Sequence, residues 1–378
     1  MTHYFPSHRG GVEAVAWQIA SRLAATGAAE IAWHASDTDP PPPEAAGLRH
    51  VPARSFNFVE RLLGVPFPLW SPAALTKLSR AVRESDVVHL HDCLYVPNVV
   101  AWLSAALSGR PVVVTQHVGF IPFRNPLLRM LLAAANRLLG KRVLGRAAQS
   151  VFVSDVVLQY FQRFVRFRRP PVRIANGVDC TTFHPADARA RVELRARLGV
   201  EARTPLFLFA GRFVEKKGLH ILQRLAHDFA QVRWIFAGWG PLDPARWGLH
   251  NVAVRRDLTQ AELAPLYQAA DLLVLPSVGE GFPLVVQEAM ACGTPALVSD
   301  ETAAGCPEAA GVLLHESLAG GDPAGRWHAR IEELLSRRDV LAALRPRAVE
   351  FARATWSWER TVERYAGILG EAARLKCR

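Results

Sequence analysis

Cysteine is scarce in this 378-residue sequence. The five residues (Cys93, Cys180, Cys292, Cys306 and Cys377) form no CxxC pair and none of the close spacings of a zinc site. An odd, scattered count of this kind reads as the reduced thiols of a cytosolic protein. No run of about 18 uncharged apolar residues occurs, which excludes a membrane-crossing helix. The N-terminus has no apolar core of a signal peptide, so export is not expected. Acidic residues are in deficit, 34 against 45 basic ones, for a net charge of +11 and a pI of about 10.0. That surplus admits nucleic acid, an anionic membrane surface or a phosphorylated substrate. What is present is apolar bulk: half the residues are hydrophobic and 21% are charged. A chain so composed buries a large core, and its length suggests two domains.

The surplus charge is unevenly placed. Residues 1–185 hold 20 basic and 11 acidic residues, a net of +9, and the remainder holds 25 and 23, a net of +2. Within the first part, 120–146 carries Arg124, Arg129, Arg137, Lys141, Arg142 and Arg146 among many leucines, with no acidic residue. A basic, strongly apolar helical stretch has the composition of a segment lying on anionic lipid. An ordinary packed helix whose arginine stems snorkel over the surface has it too, and both readings stand open.

Short apolar runs alternate with amphipathic helices, the pattern of an α/β architecture with parallel sheets. Helix 11–25 and strands 31–34, 86–91, 111–115, 150–153 and 172–174 compose the first half. Helix 188–198, strand 206–209, helix 219–229, strands 232–237 and 252–255, helix 261–269, strand 272–275, helix 285–292 and strand 296–298 compose the second. The turn-forming stretch 176–185 (NGVDCTTFHP) reads as the linker. One oddity is the start, where Met1 to Pro6 reach the first glycine turn with almost no strand. A strand truncated there, or a native start further upstream, is the expectation.

Four segments fall at ends of predicted strands, where open α/β sheets bind ligands. In 211–218 (GRFVEKKG), Arg212 and Lys217 flank a loop running into a helix N-terminus, a combination that suits a diphosphate but also describes a solvated charged turn. In 280–288 (EGFPLVVQE), Gly281 permits close backbone approach and Pro283 opens a helix. Glu288 lies in an otherwise buried run, so its carboxylate needs a hydrogen-bonding partner such as ribose hydroxyls. Glu280 stands about two turns earlier, reaching the other end of an elongated ligand. Gly10 and Gly11 open the first helix and would admit a phosphate close to the backbone. His117 leaves an apolar strand facing the cleft, either bonding a substrate hydroxyl or acting as a cap. Asp37 and Asp39 (DTD) run straight into four prolines and read as a loop. His89 and His91 share a strand face but lack a third metal ligand.

Together GRFVEKKG, EGFPLVVQE, the ANGVD–FHP linker, the GG turn and a late Trp356-Ser357-Trp358-Glu359 resemble the retaining glycosyltransferases of family 4, with EGFPLVVQE matching that family's E-x7-E motif. The resemblance implies a GT-B fold: two Rossmann-like α/β domains facing across a cleft, an N-terminal acceptor domain over 1–182 and a nucleotide-sugar domain over 183–355. A terminal helix in 356–378 would cross back onto the first. It implies sugar transfer from a nucleotide-diphosphate sugar to a glycan or lipid-linked acceptor, with retention, no metal and no cofactor beyond the donor. Arg212 and Lys217 would neutralise the diphosphate. Glu288 would hold the ribose, and Glu280, Gly281 and the Phe282, Pro283 and Leu284 backbone would hold the sugar. Gly10 and Gly11 would approach the phosphate, and His117 would contact the transferred sugar. Leu258, in an Arg256-Asp257-Leu258 run that replaces a usual glycine turn, would lie near the nucleobase, and Trp239 stands where the family usually has a small or acidic residue. An epimerase or hydrolase on the same fold is the rival of the same class. A nucleic-acid binder is the rival of another class, with only 163–169 (RFVRFRR) in its support, so no nucleic-acid partner is expected. The expected location is cytoplasmic, with 120–146 offering a peripheral membrane contact.

Overall fold

The computed structural model describes residues 1–8, 10–58, 60, 67–120 and 125–375. Two compact units divide the chain: Met1–Asn176 with Trp358–Arg378, and Gly177–Ser357. The divisions differ from 182/183 and 355/356 for a local reason. Val178 donates its N–H to the Trp356 carbonyl at 2.7 Å and bridges Ser357, tying both crossings into the second unit.

In the first unit, strands β1 (Ile31–Ser36) and β2 (Leu48–Ala53) pair in parallel, as do β3 (Val88–His91), β4 (Val112–Gln116), β5 (Gln149–Phe152) and β6 (Val172–Arg173) in that order. The residues that looked too few for a strand join these two sheets. The Met1 nitrogen donates to the His89 carbonyl at 2.8 Å and His91 N–H to the Met1 carbonyl at 3.1 Å, while Thr2 N–H reaches His34 and Ser36 N–H reaches His3. Met1 to His3 therefore sit between β1 and β3, and Tyr4 and Phe5 behind them are fully buried. The spatial order is then β2, β1, the N-terminal segment, β3, β4, β5, β6. It reverses direction between the N-terminal segment and β3, where such sheets open a crevice. Runs such as VVVTQ in β4 are buried on both faces, as central parallel strands must be.

The helix Trp358–Arg374 completes this unit. Thr115 Oγ1 in β4 donates to the Tyr365 hydroxyl at 3.2 Å, Thr361 Oγ1 donates to the Ala175 carbonyl, and Trp358 is buried. Its neighbour Trp356 serves the other unit, fully buried with its ring 5.4 Å from that of Phe282.

The second unit holds a six-stranded parallel sheet of β7 (Leu206–Ala210), β8 (Arg233–Ala237), β9 (Val252–Arg255), β10 (Leu272–Leu275), β11 (Ala296–Ser299) and β12 (Leu314–Glu316). Their spatial order is β9, β8, β7, β10, β11, β12. The order reverses between β7 and β10, so the loops leaving those two strands flank the crevice expected to take ligand. Those loops are 211–218 and 276–283.

Candidate active site

The loop after β7 is shaped by close packing. Phe213 is fully buried and donates its N–H to the Trp239 carbonyl at 2.7 Å. A single 3-10 turn, Glu215–Lys217, ends at Gly218, whose φ of 71° begins the helix Leu219–Asp228. Any Cβ at Gly218 would stand 2.2 Å from the Pro276 carbonyl oxygen of the neighbouring loop, so only glycine fits. Val278 N–H donates to the Lys216 carbonyl at 2.8 Å, joining the two loops.

That join brings the charged side chains together. Glu280 Oε1 lies 3.1 Å from Lys216 Nζ and 3.2 Å from Lys217 Nζ. Burial alone would raise the Glu280 carboxyl, but Lys217 and Lys216 hold it below its ordinary value. Burial lowers the Lys217 ammonium, against the pull of Glu280. Arg212 is exposed, with its guanidinium 4.8 Å from the centre of the Trp239 ring in a cation–π contact. The tryptophan that departs from the family's usual residue thus carries one of the expected phosphate ligands.

Glu288 sits on the helix Leu284–Ala291 and is 8% exposed. Its Oε2 accepts from the Tyr267 hydroxyl at 2.9 Å, and among the described residues its other oxygen has no hydrogen bond. Burial raises this carboxyl to about 7 despite that bond. Its partner in the structure is therefore a tyrosine, with one oxygen left over. Phe282 and Pro283 are buried, and the Phe282 ring packs on Trp356, so this residue offers its backbone only. Gly281 and Leu284 are half-buried beside them. Leu258, half-buried, follows β9 beside Asp257, which adopts φ 55°.

In the first unit, Gly10 caps the helix Gly11–Ala25 at the strand-order reversal. Only one of the two glycines expected to admit a phosphate has open space beside it. A Cβ at Gly11 would meet nothing, but one at Gly10 would stand 1.9 Å from Glu13 Oε2, because that buried carboxylate folds back over the turn. An acid in the first helical turn satisfies the same positive end that would draw a phosphate.

His117 leaves the end of β4 as expected, but its ring is buried rather than open. Its Nε2 is 2.9 Å from His91 Nδ1, and its backbone N–H donates to Asp92 Oδ1 at 2.8 Å. Asp92 adopts φ 61° at the end of β3 and also accepts from Val118 N–H, which pins the chain leaving β4. Burial lowers His117 to about 3 and raises Asp92 to about 7. Asn98 in turn donates to the His91 and Asp92 carbonyls.

The two pairs set aside as metal ligands have structural partners. Asp37 accepts from Ser55 N–H at 2.9 Å, Asp39 lies 2.7 Å from His8 Nδ1, and His89 bonds Thr115 at 2.8 Å. Asp92, Tyr267, Glu13 and Lys216 were not among the expected site residues, although Lys216 stands within GRFVEKKG and Asp92 directly follows His91.

The stretch 120–146 forms the helix Pro126–Ala135, a π-helical turn Asn136–Gly140 and the helix Lys141–Arg146; Arg124 lies outside the described residues. The Pro126–Ala135 helix has no buried residue. Leu127, Met130 and Leu131 are 57%, 62% and 55% exposed, with Arg129, Arg137, Lys141 and Arg142 exposed among them. No helix among the described residues is long and apolar enough to cross a membrane.

Residues 9–182 match the family described as Glycosyltransferase Family 4, and residues 204–337 match Glycosyl transferases group 1. A D-inositol 3-phosphate glycosyltransferase of Thermobispora bispora is 30% identical over 400 residues, covering 96% of this chain and 90% of the relative. Among solved structures, sucrose-phosphate synthase of Thermosynechococcus elongatus superimposes with a TM-score of 0.74 at 20% identity, covering 96% of this chain and 93% of that one. HepE of Anabaena, in complex with UDP, gives 0.74 at 18% identity, covering 98% and 100%.

Proposed function

This chain belongs to glycosyltransferase family 4, with the GT-B fold, and we propose that it moves a hexosyl group from a nucleotide-diphosphate sugar to a phosphate-bearing acceptor, with retention and without a metal ion. The observation that carries this reading is the meeting of Lys216, Lys217 and Glu280 at the reversal between β7 and β10. As the bond from the sugar to the phosphate breaks, its electron pair passes to the diphosphate and positive charge develops at the anomeric carbon. Lys217, Arg212 and the N–H groups opening the Leu219–Asp228 helix stabilise that leaving group. Preorganised charge of this kind is usually the largest catalytic contribution. A buried ammonium is costly to leave alone. Glu280 keeps Lys217 charged until a diphosphate shares it, and then turns its carboxylate to the sugar hydroxyls.

The free oxygen of Glu288 accepts from the donor ribose, and His117 contacts the transferred sugar. The HepE structure with UDP makes uridine diphosphate sugars the first donors to try. The acceptor follows from charge. The net of +9 over residues 1–185 suits a phosphate, and the relative is named for an inositol phosphate. The exposed apolar Pro126–Ala135 helix suits a lipid-linked acceptor, with the protein held peripherally at the inner face of the membrane. A thermal-shift screen with UDP-, GDP- and ADP-sugars tests the donor. One of them should raise the melting temperature, and Lys217→Ala should abolish that rise; if none does, the donor assignment fails. Product analysis with inositol 3-phosphate and with lipid extracts then separates the two acceptor forms.

A further inference from the structure

A basic concavity lies at the end of the first unit's sheet opposite His117, against the leading ends of β4 and β5. Its volume is about 650 Å3, and its cationic lining is Arg110, Arg146 and Arg168, facing an apolar wall that includes Trp102, Ala106 and Leu375. Among the described residues, no carboxylate side chain lines it. Its construction is specific. Arg110 is fixed by its backbone N–H, which donates to the Ala105 carbonyl at 2.8 Å as the helix Val96–Leu107 ends. Arg146 ends the helix Lys141–Arg146, and Arg168 is brought beside it because Gly145 lets the chain pass. A Cβ at Gly145 would stand 2.9 Å from the Arg166 carbonyl oxygen.

Arg110 is the informative residue. Its Nε and Nη1 are buried and have no hydrogen-bond partner among the described residues. A guanidinium with dehydrated, unpaired donors is a penalty unless something supplies oxygens. Three guanidinium groups beside an indole and small apolar side chains suit an oxyanion attached to an apolar body. We propose that this concavity is a binding site for a phosphate ester, separate from the residues assigned to the donor diphosphate and independent of that assignment. Two sources present the same chemistry, a soluble phosphate ester and a phospholipid headgroup.

The test uses the full chain carrying Lys217→Ala, which removes the proposed diphosphate contact from the measurement. Glycerol 3-phosphate is titrated calorimetrically, and flotation is measured with phosphatidylcholine vesicles with and without phosphatidic acid. Arg110→Gln and Arg168→Gln should each weaken binding by about tenfold, the scale of one lost charge-assisted contact. Arg49→Gln, which removes an exposed charge elsewhere in the same unit, should leave it unchanged. Loss in the calorimetric arm assigns a soluble ester, and loss confined to phosphatidic acid vesicles assigns a headgroup. Arg168 is exposed, so its replacement decides the matter if Arg110→Gln fails to fold. The proposal is overturned if neither probe binds, or if both arginine variants bind as Arg49→Gln does.

Discussion

Replacing Glu288 by glutamine should make the second unit more stable and the enzyme worse. Burial holds this carboxyl at about 7 against an ordinary 4.5. The folded state therefore binds the proton more tightly than the unfolded state does. That stabilisation is complete below pH 4.5 and is lost as pH rises through 7. Once the group is ionised in both states, the penalty is about 3 kcal/mol, at roughly 1.4 kcal/mol for each tenfold change in proton affinity. Glutamine keeps an oxygen to accept from the Tyr267 hydroxyl and carries no charge. At pH 8 the variant should exceed the wild type by about 3 kcal/mol, or roughly 6–12 °C in melting temperature for a unit of this size. At pH 4.5 the two should coincide. Denaturant unfolding of both proteins from pH 4.5 to 8 measures the difference directly and cancels every other titrating group. Parallel curves would refute the strained carboxylate. If Glu288 serves the donor ribose, the more stable variant should also lose donor turnover, the exchange expected where stability is given up for binding.

Three further outcomes are expected. Gly218→Ala, forced into a left-handed backbone against the Pro276 carbonyl, should destabilise the second unit by at least about 2 kcal/mol in denaturant unfolding; a neutral effect would mean that the two crevice loops do not pack as described. The His117 ring, lowered to about 3 by burial, should show no titration of its Hε1 proton between pH 5 and 8. Its contribution to stability is present above pH 6.5 and lost as pH falls toward 3, and a midpoint near 6.5 would contradict its burial against His91. Replacing Leu127, Met130 and Leu131 together by serine should reduce flotation with anionic vesicles severalfold at unchanged melting temperature, because none of the three is buried. Unchanged flotation would leave that helix without its membrane role.

The alternation of apolar runs and helices made the two α/β units legible, because strands buried on both faces must be continuously apolar. The charged loop and the EGFPLVVQE run were legible because they break that pattern at strand ends. What stayed hidden depends on distance along the chain. Glu288 needed a partner, but nothing in its neighbourhood named Tyr267, 21 residues away. Lys216 looked like any solvated lysine until the fold set it against Glu280. Met1 to His3 were too short to show strand periodicity, yet flanking strands on both sides supply the pairing that three residues cannot specify. His117 was placed correctly at the end of its strand, while its burial follows from Asp92, whose left-handed backbone no local pattern announces.

The return of Trp358–Arg374 to the first unit has a consequence for synthesis. A ribosome releases the residues up to Asn176 long before it makes this helix, so the first unit must wait with the Thr115 hydroxyl lacking Tyr365. The second unit has all its strands by Glu316 and is closed by Trp356. The part made first is therefore finished last. A chain truncated after Ser357 would hold Lys216 and Lys217 in place while the first unit stood incomplete, which ties completion of that unit to the synthesis of Trp358–Arg374.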